Sequence, residues 1–258
     1  MQRSILRDLL VLLGVFGFIW LVFSLFSYPE DPQLLSIHKE EKLGEAYVDL
    51  ILLNPLFGEY ENRQVDSAIR TIGDRLVAGL QDTEYTYRFE VFDSKMVNAF
   101  TVPGGNILIS TGLIGFCDTA EELAAVIAHE MGHVEERHVL SRLLKELGIE
   151  ILSSGDPYVI GEVTSLLTST SFDRKQEEAA DLFAARLLEA SSIEPRTLAS
   201  LFRKLEDEMD NELMNQFEII STHPNFGSRI REALLYLPDA EFEALPFDLD
   251  WEEIKAGL

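Results

Sequence analysis

Ala128-His129-Glu130-Met131-Gly132-His133 decides the reading of this sequence. It spells H-E-x-x-H. On a helix, His129 and His133 stand four residues apart, so both imidazoles project from one face about one turn apart. Two neutral ring nitrogens so placed can bind one Zn²⁺ at roughly 2.0–2.1 Å each. Glu130, beside the first ligand, can then take a proton from a metal-bound water instead of binding the metal. A helix is expected here on other grounds too. Thr119-Ala120-Glu121-Glu122 reads as a capping box, and Leu123, Val126, Ile127 and Val134 supply an apolar face. A chance H-E-x-x-H should occur on the order of once per hundred such chains, and these helix signals lower that chance further.

A catalytic zinc keeps three protein ligands and one open position. A third histidine at the spacing H-E-x-x-H-x-x-G-x-x-H would be residue 139, which is Val139. His138 is one position off and turned away from the metal face of a continuing helix, which suits a structural role. The third ligand must come from elsewhere. In Gln176-Glu177-Glu178-Ala179-Ala180-Asp181, Glu177 and Asp181 put two carboxylates on one helical face. The first can bind the metal and the second can hold an imidazole N–H. Small Ala179 and Ala180 favour close helix packing. On spacing alone, a solvated acidic helix remains the competing explanation.

The chain has 258 residues, 47% of them hydrophobic, enough for one sizeable domain and an appendage. Its net charge is −24, from 45 acidic against 21 basic residues. Such a surface repels phosphate backbones, so nucleic acid is not expected as a partner. Cys117 is the only cysteine, which excludes an intrachain disulfide and a cysteine-based zinc site; it reads as a small buried hydrophobe.

Leu9 to Pro29 carries no charge and would span about 31 Å as a helix, close to a bilayer core. A cleaved signal peptide would have a shorter apolar core and an A-x-A-like end, and a transit peptide would be amphipathic and Arg-rich. A buried core helix is rarely apolar on all sides for this length. An uncleaved signal anchor over residues 1–29 is therefore expected. Arg3 and Arg7 precede it, which leaves the amino end in the cytoplasm and the rest on the outer, extracytoplasmic face. A short tether, 30–36, leads into a domain over 37–240, followed by an acidic tail, 241–258, with Trp251 as its large anchor.

Within the domain, Val65, Ile69, Ile72 and Leu76 recur at helical spacing, and Asn54-Pro55 and Phe57-Gly58 divide Glu40 to Leu80 into at least two helices. Tyr87, Phe89 and Val91 alternate as in a half-buried strand. Val97 to Val102 and Asn106 to Ser110 are two more strands, joined by the Pro103-Gly104-Gly105 turn. Past His138 the zinc helix is expected to run on to about Leu147. Gly148 to Phe172, mixing Ser, Thr and Gly with apolar pieces, reads as a mobile covering segment. Helices follow over Gln176 to Ala190, from Pro195 through Leu198, Leu201, Phe202, Leu205, Met209 and Leu213, and over Ser228 to Leu237. His223-Pro224 falls in a loop. The expected class is α+β, mainly helical, with a small sheet beside the zinc helix.

These motifs, in this order, resemble a known family: the membrane-associated zinc metallopeptidases that include the CAAX prenyl protease and HtpX, nearest the branch of BepA and the mitochondrial protease Oma. The likeness covers about Leu43 to Leu237. It rests on Asn98-Ala99-Phe100, Pro103-Gly104-Gly105 and Thr111-Gly112-Leu113, on Glu122 to Val134 closing at Arg137-His138, on the E-x-x-A-D of Glu177 to Asp181, and on Thr222-His223-Pro224 to Arg229-Ile230. Asp173 departs from the serine common before Arg174, which should alter a loop contact and not the chemistry. The resemblance implies a zincin-type domain with one Zn²⁺, held by His129, His133 and Glu177. It also implies Glu130 as the base and polypeptide substrates drawn from misfolded or membrane-associated envelope proteins.

In that scheme Glu130 accepts a proton from water and delivers it to the leaving amine. His223 is nominated to stabilise the oxyanion, or else to cap the open metal position. Asn98, with Ala99 and Phe100, is a candidate substrate contact on a strand edge. A different class stays open: a membrane-tethered, chaperone-like binding module whose zinc is structural and capped by His223. Substrate identity and oligomeric state are not legible.

Overall fold

In the computed structural model, which describes residues 18, 35–53, 57–148, 152, 157–169, 171–208 and 217–258, a small sheet is covered by helices on both faces. In chain order the elements are α1 (Ile37–Leu52), β1 (Gly58–Glu59), α2 (Arg63–Gly79), β2 (Arg88–Asp93), β3 (Ala99–Val102), β4 (Asn106–Ser110) and α3 (Thr111–Phe116). Then come α4 (Ala120–Glu135), α5 (His138–Leu147), α6 (Pro157–Ser169), α7 (Arg174–Ala190), α8 (Thr197–Glu208), α9 (Glu218–Thr222), α10 (Phe226–Leu235) and α11 (Trp251–Ala256). The class is α+β. Residues Pro32–Leu258 form one unit, separate from Met1–Asp31. The apolar stretch Leu9 to Pro29 lies, but for Phe18, outside the described residues, and among those described no helix is long and apolar enough to cross a membrane.

The sheet order is β1-β2-β4-β3. β2 runs parallel to β4, while β1 and β3 are antiparallel to their neighbours. Parallel pairing needs a crossover, and β3 with its Pro103-Gly104 turn lies inside it. Gly104 and Gly105 both take positive φ, at 80° and 84°, a region open to glycine at little cost. The period-two alternation of strands then sorts two cores. Ala99, Ile107 and Ile109 face α2 and α4, with Ile69, Ile72 and Ile127. Phe92, Phe100, Val102 and Leu108 face the other way, with Ile51, Leu143, Val163 and Leu167. β3 pairs only with β4, so among the described residues its outer edge carries no strand.

Three expectations need correction. The zinc helix does not continue through His138. It ends at Glu135, Arg137 adopts a left-handed φ of 51°, and a new helix starts at His138. The Arg137 guanidinium is drawn to buried Glu40 (2.6 and 3.0 Å) and to the Leu35 carbonyl (2.6 Å), contacts that accompany the break. The segment read as a mobile cover contains α6, whose Val159, Val163 and Leu167 are buried at four-residue spacing in the second core. The capping box before α4 is half made. Thr119 Oγ1 accepts from the Glu122 N–H at 3.2 Å, but Glu122 Oε2 accepts from Asp118 N–H, one residue upstream.

The last residues pack on the domain: the Trp251 indole N–H donates to the Cys117 carbonyl at 2.8 Å, and both side chains are buried. Met209 and Leu213 lie outside the described residues.

Candidate metal centre

The centre forms where α4 crosses α7. At the crossing, a Cβ on Gly132 would stand 2.9 Å from Ala180 Cα and 3.0 Å from its carbonyl oxygen, so only glycine permits this approach. That closeness carries Glu177 and Asp181 to His129 and His133. Asp173, the departure noted above, is the N-cap of α7 in a full capping box with Gln176.

His129, His133, Glu177 and His223 each offer one donor atom, all within 4.8 Å of one another, and all four residues are buried. His129 Nε2 lies 3.1 Å from His133 Nε2 and 3.2 Å from His223 Nδ1. Glu177 Oε1 lies 3.0 Å from His223 Nδ1 and 3.5 Å from His133 Nε2. Tetrahedral bonds of roughly 2.0–2.1 Å put ligand atoms about 3.3 Å apart, and the four separations just given, 3.0–3.5 Å, lie about that value.

Proton positions argue the same way. Asp181 Oδ1 accepts from His129 Nδ1 at 2.9 Å, which leaves Nε2 with a bare lone pair. His138 Nδ1 stands 3.0 Å from His133 Nδ1. With His133 assigned as the donor there, its Nε2 is bare as well. Two lone pairs 3.1 Å apart repel unless a cation lies between them. The donor set fits a metal ion.

The groups around it hold these states. Burial pushes the His133 imidazole well below its ordinary pKa, and pushes His138 down to about 4, so both stay neutral. Burial alone would raise the Glu177 carboxyl. The charge of His223 and its hydrogen bond overcome that and hold it well below the usual carboxylate range.

Glu130 is 1% exposed. Its Oε2 accepts from the Thr101 hydroxyl at 2.8 Å, tying it to β3. Its Oε1 has no hydrogen-bond partner and lies 3.4 Å from His223 Nε2.

The sequence did not single out four of these contacts. Thr101 positions Glu130. Phe172 stacks on His133 with centroids 3.8 Å apart. His138, though on a new helix, meets the far side of His133. Arg229 donates twice to Asp181 at 2.7 Å and lies 2.6 Å from Glu177 Oε2 as an ion pair. Its place after the T-H-P motif was the one available signal. Ala99 and Phe100 have their side chains in the two cores, and every residue of β3 is buried. Asn98 is buried, and its amide donates to Glu218 Oε2 at 2.9 Å.

Residues 61–236 match the model of Peptidase family M48. The chain belongs to that family. Among similar M48 relatives, the beta-barrel assembly-enhancing protease of Yersinia pestis is 28% identical over 77% of this chain and 44% of its own length. The mitochondrial metalloendopeptidase OMA1 of Arabidopsis thaliana is 31% identical over 65% of this chain and 34% of its own. Metalloprotease LoiP of Escherichia coli K12 is 30% identical over 68% and 69%. The match to the first of these thus spans less than half of that relative.

Proposed function

We propose that this chain is a zinc-dependent endopeptidase. The observation that carries the reading is a buried, mutually facing set of two imidazoles and a carboxylate, next to a Glu130 carboxylate with one oxygen unengaged. His129, His133 and Glu177 would hold the ion, with Asp181 and His138 fixing the two rings. Zn²⁺, when bound, supplies a Lewis acid that polarises the scissile carbonyl and brings the pKa of water toward about 7. Glu130 Oε1 accepts the proton of the attacking water and returns it to the leaving amine. Thr101 keeps the other oxygen in place, so that the free one faces the centre. His223, facing both Glu130 and Glu177, donates to the developing oxyanion. The polypeptide substrate pairs its backbone with the β3 edge.

His223 also supports a second reading. Its Nδ1 sits among the ligand atoms, at 3.0 and 3.2 Å from two of them. In that position it completes four protein ligands, either as a resting cap or as a structural site. Chelation separates the two classes. With a dialysed sample, a proteolytic site loses casein cleavage and self-cleavage and regains them with one equivalent of Zn²⁺. A structural site loses its fold and has no cleavage to regain.

The location belongs to the same proposal. Leu9 to Pro29 anchors the chain, with the catalytic domain on the outer face. The tether Glu30 to Ser36 extends about 25 Å at most. Substrates are then membrane proteins, or misfolded chains held near the membrane. Lengthening the tether with a Gly/Ser insert, or deleting residues 1–28, should slow turnover of native targets. Unchanged turnover of all of them, or cytoplasmic labelling of the domain, rejects this placement.

A further inference from the structure

A cavity of about 370 Å³ lies at the Ala99 end of β3, outside the metal centre. That is near the small end of ligand pockets, roughly 300–1,000 Å³. Phe57, Phe92 and Met96 form its apolar part, and Asn98, Thr164 and Glu218 its polar part. Gly161 and Ser165 on α6 also line it and are exposed, so it reaches the surface.

Among the described residues, the cavity's carboxylate has one neutral partner and no cation. A carboxylate accepts only, so Asn98 must turn its Nδ2 toward Glu218, which fixes the amide and points Oδ1 the other way. Asn98 is 2% exposed, and that Oδ1 has no hydrogen-bond partner. Glu218 is half-buried, and among the described residues no cation pairs with its carboxylate. Burial pushes its carboxyl above the ordinary range, opposed only by the Asn98 amide. None of the cavity's lining residues is basic.

We propose that this cavity is a specificity pocket for one cationic side chain of the substrate, its stem on Phe57, Phe92 and Met96 and its head held by Glu218. The shape suits the chemistry. Lys and Arg bury an apolar stem while the charged head keeps polar partners, and a charge-assisted hydrogen bond is roughly twice as strong as a neutral one. An acidic side chain meets the Glu218 carboxylate and is repelled, which adds selection against it. Position follows from the strand. Asn98 precedes Thr101 by three residues, about 10 Å along an extended chain, and Thr101 holds Glu130. A substrate strand beside β3 therefore places the cation about three residues from the scissile bond.

This rests on the proteolytic reading for its meaning, but binding tests it without turnover. Fluorescein-labelled eight-residue peptides of Ala, Thr and Val, each with a single Arg, Lys, Leu or Glu walked along the sequence, are titrated into Glu130→Gln protein by anisotropy. The expected result is tightest binding with Arg or Lys at one position, at least about tenfold over Leu there, with Glu weakest. Adding Glu218→Gln should shrink the Arg-to-Leu ratio at that position to about two or less. A cationic preference that is equal at every position, or that survives Glu218→Gln, reflects only the acidic surface and overturns the pocket. Equal binding of Arg and Leu peptides, or no binding of any, overturns it too. Cleavage of the same peptides by wild type is scored separately, so a protein that selects but does not cut would reject the protease and keep the pocket.

Discussion

Arg229 grips Asp181 through two hydrogen bonds of 2.7 Å, with the guanidinium 2% exposed. The same group faces Glu177, so one buried cation steadies both carboxylates that α7 presents to the centre. Removing it strands two buried negative charges. Arg229→Ala should cost about 3–5 kcal/mol of stability, read as the shift in urea midpoint of the metal-free protein. Arg229→Lys keeps a charge but loses the fork and should fall between. A shift under about 1 kcal/mol for Arg229→Ala would contradict the role.

Gly132→Ala adds one carbon where α4 and α7 touch. The helices must separate, and the separation falls between the two imidazoles and Glu177. Zinc content per chain, measured after dialysis, should drop at least tenfold, while Gly161→Ala, which meets nothing within 4 Å, should leave it unchanged.

Thr101→Val keeps shape and removes the hydroxyl that holds Glu130 Oε2. The base is retained but loosely aimed, so kcat should fall about tenfold or more, a part of the 10²–10⁴ that such proton transfer contributes. KM and metal content should change little. A KM effect without a kcat effect would move Thr101 out of the catalytic machinery.

How much of this was legible follows from what kind of signal each part leaves. The H-E-x-x-H helix and the Glu177-to-Asp181 helix were readable because each carries a local period. That they meet was hinted by small Ala179 and Ala180 and by the family resemblance; the closest approach, at Gly132, was not read. Strand order leaves no local trace: nothing in Tyr87, Phe89 and Val91 says that β2 pairs parallel to β4. The two-residue β1 is shorter than any period. The break at Arg137 was hidden because no glycine marks it, and the ion pair with Glu40 that accompanies it is long-range. α6 was misread because its Ser, Thr and Gly content suggested a loop, although Val159, Val163 and Leu167 already had helical spacing. Arg229 was marked by its place after Thr222-His223-Pro224, but its two carboxylate partners lie far off in sequence and left no local trace.

Cys117 is fully buried, and burial pushes its thiol far above the usual range. It should resist iodoacetamide even at pH 9, where an ordinary thiol is largely ionised. Trp251→Ala removes the lid over it and should cost about 3–5 kcal/mol, with faster Cys117 labelling at the same pH. Labelling at the rate of a free thiol in the wild type would contradict the packing of the C-terminal helix.

The central claim is that Glu130 works on a proton beside a metal it does not bind. Zinc content and casein cleavage of Glu130→Gln, measured on one preparation beside wild type and His129→Ala, test it directly. The account predicts one equivalent of zinc and at least about 10²-fold slower cleavage for Glu130→Gln, with both zinc and cleavage lost in His129→Ala. Undiminished cleavage by Glu130→Gln would contradict it.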